Sequence, residues 1–312
     1  SGAFAEPAWH EYSDGSVCAL AGDPLLLVNG ELISRDLQMA RLASESEMLN
    51  HIELANCRGS FALVKYFAVS NTLQLSTDAV GLRSIYYVLQ DGLLIFSTAL
   101  RVLENAPQLR KRLSYQGMVE LSAFSFPLAE RSPYEGLFVL RESQVLTATT
   151  SGVSLQNYYD WSTREASPDN PTDAAAHLYA TFQDAVRIRA GNDKKVYSFL
   201  SGGMDSRAIV ATLIGTGKEV EALNFSADAS QDQRYAQMLA NEAGSCCQLH
   251  CLRGGIFPNF SFLALAAKTS LERTETTGVD RPQFIWSGDG GSVGLGHVYM
   301  DEIMVNHADR GD

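Results

Sequence analysis

The sequence has no long apolar run, and this absence excludes one class of protein. Its 312 residues contain no stretch that approaches the roughly 20 apolar residues of a transmembrane helix. Residues 1–12 lack the basic start and apolar centre of a secretory signal peptide. We therefore expect a cytoplasmic protein without a membrane partner.

Positive charge is also scarce, with 24 Lys and Arg against 36 Asp and Glu and a net charge of −12. Proteins that bind nucleic acids usually carry a basic surface, because phosphate contacts dominate their affinity. The run Arg110-Lys111-Arg112 is short and is typical of a solvated face. We therefore expect no nucleic-acid partner, which argues against a tRNA-modifying enzyme.

Cysteine occurs five times, an odd number that gives no disulfide framework. Cys246, Cys247 and Cys251 lie near His250, so a metal site is one alternative. Their spacing is not that of a standard zinc site. We expect instead a helix end followed by a strand with buried thiols.

The first half of the chain reads as short strands. Residue patterns favour a helix over 46–54 and predict strands over the following segments: 25–28, 60–70, 72–77, 85–89, 93–97, 136–140 and 144–149. Asp91-Gly92 predicts a hairpin turn. The stretch 167–171, with two prolines, predicts a linker. We therefore place a first domain at 1–166 and a second at 172–312.

The second half alternates helices and strands. Periodicity predicts helices over 172–190, 206–214 and 233–243, and strands over 196–200, 219–225 and 248–252. The apolar stripe of the first helix is Ala176, Tyr179, Phe182 and Val186. Strand–helix repeats of this length predict a parallel sheet with right-handed crossovers.

The strongest local signal is Ser-Gly-Gly-Met-Asp-Ser at 201–206, between a predicted strand and a predicted helix. Ligands of open parallel sheets bind at this edge. The glycines let backbone N–H groups face a phosphate, and the helix adds its positive end. Asp205 would repel phosphate alone, so it predicts a Mg²⁺ ion between them. The Walker lysine is absent, and a glycine turn with an aspartate helix cap is the alternative.

This loop is similar to the SGGxDS pyrophosphate loop of ATP pyrophosphatases, which include asparagine synthetase. Segments before it follow the order of that family's glutaminase domain: Asn29-Gly30-Glu31, Ser46-Glu47, Gly59-Ser60-Phe61-Ala62, the block 77–87, Phe96-Ser97-Thr98-Ala99 and Tyr158-Tyr159. A β-turn beside a core strand is the alternative interpretation of Asp78, Gly81 and Tyr86. From about 29 to 299, the chain resembles asparagine synthetase-like proteins and is also similar to β-lactam synthetase and lasso-peptide cyclases.

The resemblance implies an α+β first domain, an Ntn-hydrolase-like αββα sandwich, followed by a Rossmann-like α/β ATP-pyrophosphatase domain with a parallel sheet. It implies ATP and Mg²⁺ as cofactors and an ATP-dependent ligase. Such an enzyme adenylates a carboxylate with loss of pyrophosphate, and an amine then displaces AMP to form an amide. The implied partners are a small-molecule or peptide carboxylate and an amine, and a homodimer is left open.

The family's second block, SGEGADExxGGY, matches residues 287–299 in part, with Ser292 where a second metal-ligating aspartate is expected. A plain glycine-rich loop is the alternative. Asp289 is our predicted catalytic residue, which orients or deprotonates the amine, and Asp205 is the predicted metal ligand. The predicted nucleotide-binding residues are Leu200, Ser201, Gly202, Gly203, Asp205, Ser206, Ala227, Ser287 and Gly288.

Besides Ser292, two further features depart from the family. The chain begins Ser1-Gly2 instead of with the cysteine nucleophile, so we expect a degenerate glutaminase domain in which Asn29-Gly30-Glu31 has no thiol to serve. The family's later lysine is not identified, since Lys268 and Arg273 are typical of a solvated helix face, and we expect an incomplete C-terminal domain. The alternatives are a glutamine-dependent asparagine synthetase and a non-catalytic nucleotide-binding pseudoenzyme.

Overall fold

A computed structural model of the protein describes residues 8–28, 31–32, 51–160, 170–191, 193–251 and 285–290. The chain divides into two compact units, Ser1–Ala166 and Ser167–Asp312. Across the described ranges, none of the helices is both long enough and apolar enough to cross a membrane.

The first unit contains two antiparallel sheets. Its strands are β1 (Ala8–Glu11), β2 (Val17–Val28), β3 (Glu31–Leu32), β4 (Cys57–Phe67), β5 (Thr72–Thr77), β6 (Ile85–Gln90), β7 (Leu93–Ser97), β8 (Leu137–Leu140), β9 (Gln144–Thr149) and β10 (Gly152–Asn157). The larger sheet has the order β1-β2-β4-β5-β9-β10, with β3 paired to β2, and the smaller sheet has the order β7-β6-β8. The predicted hairpin is confirmed, because Asp91 (φ 52°) and Gly92 (φ 78°) turn β6 into β7.

The helices of the first unit are α1 (His51–Asn56), α2 (Leu100–Glu104) and α3 (Tyr115–Phe124). Alternate residues of β4 point to opposite faces of the larger sheet. Ala62 packs between the two sheets, whereas Phe61 packs in a cluster with Leu54 of α1. Leu103 of α2 joins a cluster on the outer face of the smaller sheet. The layers therefore follow the predicted αββα order.

The turn after β5 is organised by Asp78, whose side chain is fully buried. One carboxylate oxygen accepts the N–H groups of Val80 and Leu82, both at 3.1 Å. The other accepts those of Phe61 at 3.2 Å and Arg83 at 3.0 Å. The local structure is therefore a β-turn beside a core strand, which is compatible with both interpretations of this block.

The second unit is a parallel sheet with helices. Its elements are α4 (Pro171–Ala190), β11 (Lys195–Phe199), α5 (Met204–Gly215), β12 (Glu219–Asn224), α6 (Gln231–Ala243), β13 (Cys247–Cys251) and β14 (Ile285–Trp286). The strand order is β13-β12-β11-β14, and each pairing is parallel, as predicted. All three helices join one apolar cluster on the sheet face that carries Val196, Val220 and Ala222.

Several elements differ from the prediction. Strand β2 begins at Val17, well before the predicted start at residue 25, and continues through the strand-breaking Gly22 and Pro24. Pairing with β4 outweighs these local preferences. Strand β10 was not predicted: Val153 and Leu155 alternate with polar residues over a few positions only, and all six residues of the strand are exposed.

The helices α2 and α3 were also missed. Helix α3 contains Gly117, a poor helix residue, but a Cβ there would lie 2.2 Å from the Ser132 carbonyl oxygen. Helix α4 begins inside the predicted linker, where the Asn170 side chain caps it and Pro171 is its first residue. Its predicted apolar stripe is wrong at Ala176 and Tyr179, which are exposed, and confirmed at Phe182 and Val186, which join an apolar cluster.

Glu120 supplies a pH-dependent contribution to the stability of the first unit. Its carboxylate accepts hydrogen bonds from the Arg131 guanidinium, with N···O distances of 2.7 to 2.9 Å, and from the Leu128 N–H at 2.9 Å. These hydrogen bonds, of which that with Arg131 has the largest effect, lower the pKa of Glu120 to about 2. An acid with a depressed folded-state pKa stabilises the fold above its unfolded pKa of about 4.3, and this stabilisation is lost as pH falls through the folded value.

We predict that Glu120→Gln lowers the urea midpoint of the first unit at pH 7, and that the difference from the parent shrinks between about pH 4.5 and pH 2. Glu142→Gln is the control, because Glu142 makes an exposed ion pair with Arg141 and should change the midpoint little. A difference for Glu120→Gln that stays constant across this pH range would contradict the assignment.

Candidate active site

The predicted phosphate loop lies where β11 ends and α5 begins. Leu200 is fully buried, and its N–H donates to the Leu223 carbonyl of β12 at 3.0 Å. Gly203 is the residue before the helix. The neighbours of β11 are β12 on one side and β14, which comes much later in the chain, on the other. A crevice opens at the carboxyl ends of strands where the strand order reverses in this way.

Hydrogen bonds of Ser201 and Ser206 join the two ends of the loop 201–206. The Ser201 hydroxyl accepts the Gly203 N–H at 3.3 Å and lies 3.1 Å from the Ser206 hydroxyl. The Ser206 hydroxyl also donates to the Gly203 carbonyl at 3.1 Å. Ser206 is buried and Ser201 is exposed. The structure therefore brings the hydroxyls of two predicted nucleotide-binding residues, Ser201 and Ser206, to the start of α5.

Gly202 is required by the packing of the loop. Its φ is +85°, and a Cβ would lie 2.1 Å from the carbonyl oxygen of Asp232 in α6. Gly203 is exposed, and the atom nearest to a Cβ there would be the Ser201 hydroxyl at 3.4 Å. Packing alone demands glycine at the first of these positions far more strongly than at the second.

Ser287 and Gly288 reach the same edge of the sheet because β14 pairs with β11. A Cβ on Gly288 would lie 2.4 Å from the Ser206 amide nitrogen and 2.8 Å from the Asp205 carbonyl carbon. No side chain larger than hydrogen fits this contact without a backbone shift. The structure thus joins two segments that the sequence separates by about 80 residues.

The two predicted acids differ in exposure. Asp205 is half-buried in the first turn of α5. Asp289 is exposed, and its N–H donates to the Ser287 hydroxyl at 3.1 Å. Ala227 is exposed in the loop after β12, where its carbonyl accepts the Ser230 N–H at 3.1 Å.

Other predicted residues lie outside the described part of the chain: Ser1, Asn29, Gly30, Ser46, Glu47, Lys268, Arg273 and Ser292. They include the residues on which the expectation of a degenerate glutaminase depended. Glu31 is described only as part of β3.

The sequence interpretation missed Asn224, the last residue of β12. Its side chain is 1% exposed, donates to the Leu200 carbonyl at 2.7 Å and accepts the Ser226 N–H at 3.0 Å. It therefore ties the residue before the phosphate loop to the loop that carries Ala227. A polar amide at the end of an apolar strand was the available signal.

The cysteine cluster is only partly as predicted. Cys247 begins β13 and is buried, and burial raises the pKa of its thiol, but Cys246 and Cys251 are exposed. The prediction of buried thiols is therefore wrong for these two. In the described segments, no group of three or more His, Cys, Asp and Glu side chains is placed to hold a metal ion.

His250 takes part in a charged cluster on the sheet. Its Nε2 contacts the Glu221 carboxylate, which also lies 2.5 Å from Lys195 Nζ. Burial raises the pKa of Glu221, but the hydrogen bonds of Lys195 and His250 together lower it below its usual value. The pKa of Lys195 is raised, mainly by its hydrogen bond with Glu221. This cluster holds three neighbouring strands together.

Replacement of Asn224 tests how firmly the loop is held. Asn224→Leu leaves the Leu200 carbonyl and the Ser226 N–H without their partner, so we predict destabilisation of the second unit by about 1–3 kcal/mol for each orphaned group. Asn241→Leu is the control, because Asn241 is exposed on α6 and should change stability by less than about 0.5 kcal/mol. Equal urea midpoints for the two variants would contradict the role of Asn224.

Two family models match this chain. Residues 43–159 match the glutamine amidotransferase domain, and residues 177–253 match asparagine synthase. The second match ends before Ser287, so the positions 287–289 are supported by the local motif and the packing of Gly288 alone.

The curated relatives agree with this order of domains. Asparagine synthetase [glutamine-hydrolyzing] 3 of Bacillus subtilis (strain 168) is 27% identical over 247 residues, which are 72% of this chain and 40% of that relative. Putative asparagine synthetase [glutamine-hydrolyzing] 2 of Methanocaldococcus jannaschii is 28% identical over 141 residues, 44% of this chain and 27% of that relative. The chain spans less than half the length of either relative. The chain thus matches an Ntn-type glutamine amidotransferase domain followed by an asparagine synthase domain, and over most of its length it is similar to an asparagine synthetase.

Proposed function

We propose that the chain is an ATP-dependent carbon–nitrogen ligase that adenylates a carboxylate and then forms an amide. The observation that carries the proposal is the contact between Gly288 and the first turn of α5. It joins the loop 201–206 and Ser287 at the carboxyl edge of the sheet, where nucleotides bind in open α/β folds. The strand order β13-β12-β11-β14 supports the Rossmann-like description of this unit.

The loop fits a polyphosphate. Gly203 is exposed and lies directly before α5, so a phosphate can approach its backbone more closely than a side chain would allow. The Ser201 hydroxyl is exposed beside it. The helix N-terminus adds a positive potential that favours an anion at this position.

Asp205 fits a Mg²⁺ site that is shared with the nucleotide. Mg²⁺ in nucleotide sites usually takes one or two carboxylates and completes its shell with water and phosphate oxygens. A half-buried carboxylate in the first turn of α5 meets this requirement. When bound, the ion would neutralise charge on the phosphates, while the loop would hold them in place.

The proposed reaction has two steps, adenylation of the carboxylate and formation of the amide. A carboxylate oxygen forms a bond to the α-phosphorus, the bond to the bridging oxygen breaks, and pyrophosphate leaves with the electron pair. An amine nitrogen then forms a bond to the acyl carbon, AMP leaves, and the amine loses a proton. The exposed carboxylate of Asp289 is our candidate acceptor of this proton. Positioning and charge neutralisation supply most of the rate enhancement in phosphoryl transfer of this kind.

The nitrogen source has two candidates. An amine already present in a small-molecule or peptide substrate would need no glutaminase. Glutamine is the second candidate, and it is favoured by the αββα layers of the first unit and by the amidotransferase match over 43–159. If glutamate is released from added glutamine only while ATP is consumed, glutamine is the nitrogen source.

The nucleotide site is tested by calorimetric titration of Mg·ATP into the parent and into Gly288→Ala. We predict that the parent binds and that Gly288→Ala loses at least about tenfold in affinity, because the new methyl group must displace the backbone of α5. Gly215→Ala is the control, since a Cβ there meets no atom within 4 Å. Absence of binding to the parent, or parent-like binding by Gly288→Ala, would contradict the proposed site.

A further inference from the structure

Arg207 lies beside the proposed phosphate site. It is the fourth residue of α5, and helical side chains lean toward the helix N-terminus. Its guanidinium Nε donates to the Gly203 carbonyl at 3.4 Å. The side chain is therefore folded back toward the loop and does not extend along the helix into solvent.

Tyr235 of α6 supports this arrangement. The guanidinium carbon of Arg207 lies 5.1 Å from the centroid of the Tyr235 ring, within cation–π distance. The same end of α6 touches the loop, because the Asp232 carbonyl occupies the space that a Cβ on Gly202 would need. The aromatic ring and the loop backbone thus hold the guanidinium in place from two sides.

The electrostatics of this position are unusual. A helix N-terminus favours anions and disfavours cations. The two partners described above, a carbonyl and an aromatic ring, are both uncharged. Among the described residues, no carboxylate makes an ion pair with Arg207. A bound anion would relieve the repulsion between the cation and the helix end.

We propose that Arg207 is a polyphosphate ligand: its guanidinium contacts the β- and γ-phosphates of ATP in the 201–206 loop, and Tyr235 is the residue that positions it. The proposal rests on the proposed function of this loop. The planar guanidinium fork matches two phosphate oxygens and stays charged at all working pH values. Arg207 would thus supply a protein-bound positive charge to the leaving pyrophosphate, in addition to the charge of Mg²⁺.

The test compares the binding of three probes, Mg·ATP, magnesium pyrophosphate and AMP, by calorimetry. For Arg207→Met we expect affinity for ATP and pyrophosphate to fall about 10- to 100-fold, the range for a charge-assisted contact. AMP lacks the β- and γ-phosphates, so its affinity should change by less than about twofold. Arg207→Lys keeps the charge but loses the planar guanidinium fork, so its affinity for ATP and pyrophosphate should lie between those of the parent and of Arg207→Met. Tyr235→Leu should weaken the binding of ATP and pyrophosphate by a few-fold.

Arg234→Met is the matched control, because Arg234 is an exposed cation on α6, and its three affinities should equal those of the parent. Parent-like binding of ATP and pyrophosphate by Arg207→Met would overturn the role of Arg207 while the proposed function stands. An equal loss for AMP would also overturn it, since that result indicates a structural role in the helix end. Failure of the parent to bind ATP would overturn the proposed function and this inference together.

Discussion

The candidate site depends on the close contact between Gly288 and the first turn of α5. This contact leaves no room for a Cβ, so the segment after β14 and the loop after β11 lie in direct backbone contact. The parallel pairing of Tyr197 with Ile285 and of Ser198 with Trp286 sets that placement. Every residue assigned to the nucleotide is positioned relative to this junction.

A second set of contacts fixes the other side of the loop. Gly202 lies against the Asp232 carbonyl, and Asn224 joins Leu200 to the loop after β12. The phosphate loop is therefore held by elements on both sides of β11, which leaves it little freedom to rearrange. Such pre-organisation suits a reaction in which correct placement of the phosphates supplies much of the rate enhancement. It also explains why buried polar groups such as Asn224 occur in an apolar sheet.

The parts of the structure that could be predicted from sequence are those with local signals. Strand–helix alternation predicted the parallel sheet, the 201–206 motif predicted the strand–loop–helix, and Asp91-Gly92 predicted its hairpin. The start of strand β2 could not be predicted, because its residues around Gly22 and Pro24 are strand-breaking and only their pairing with β4 keeps them extended. The close packing of Gly288 and the position of Arg207 depend on neighbours that are distant in sequence or on another helix, so no local pattern revealed them. The polar amide of Asn224 at the end of an apolar strand was a signal that the sequence interpretation missed. Asp78 organises a turn and also lies within the amidotransferase match over 43–159, so the two interpretations of its block are compatible.

The proposed ligase activity requires that ATP is cleaved between its α- and β-phosphates. ³¹P NMR of Mg·ATP incubated with the protein and a panel of carboxylates and amines detects this cleavage. We expect AMP and pyrophosphate to appear in equal amounts, and only when a suitable carboxylate is present. Formation of ADP and orthophosphate would contradict the proposed activity.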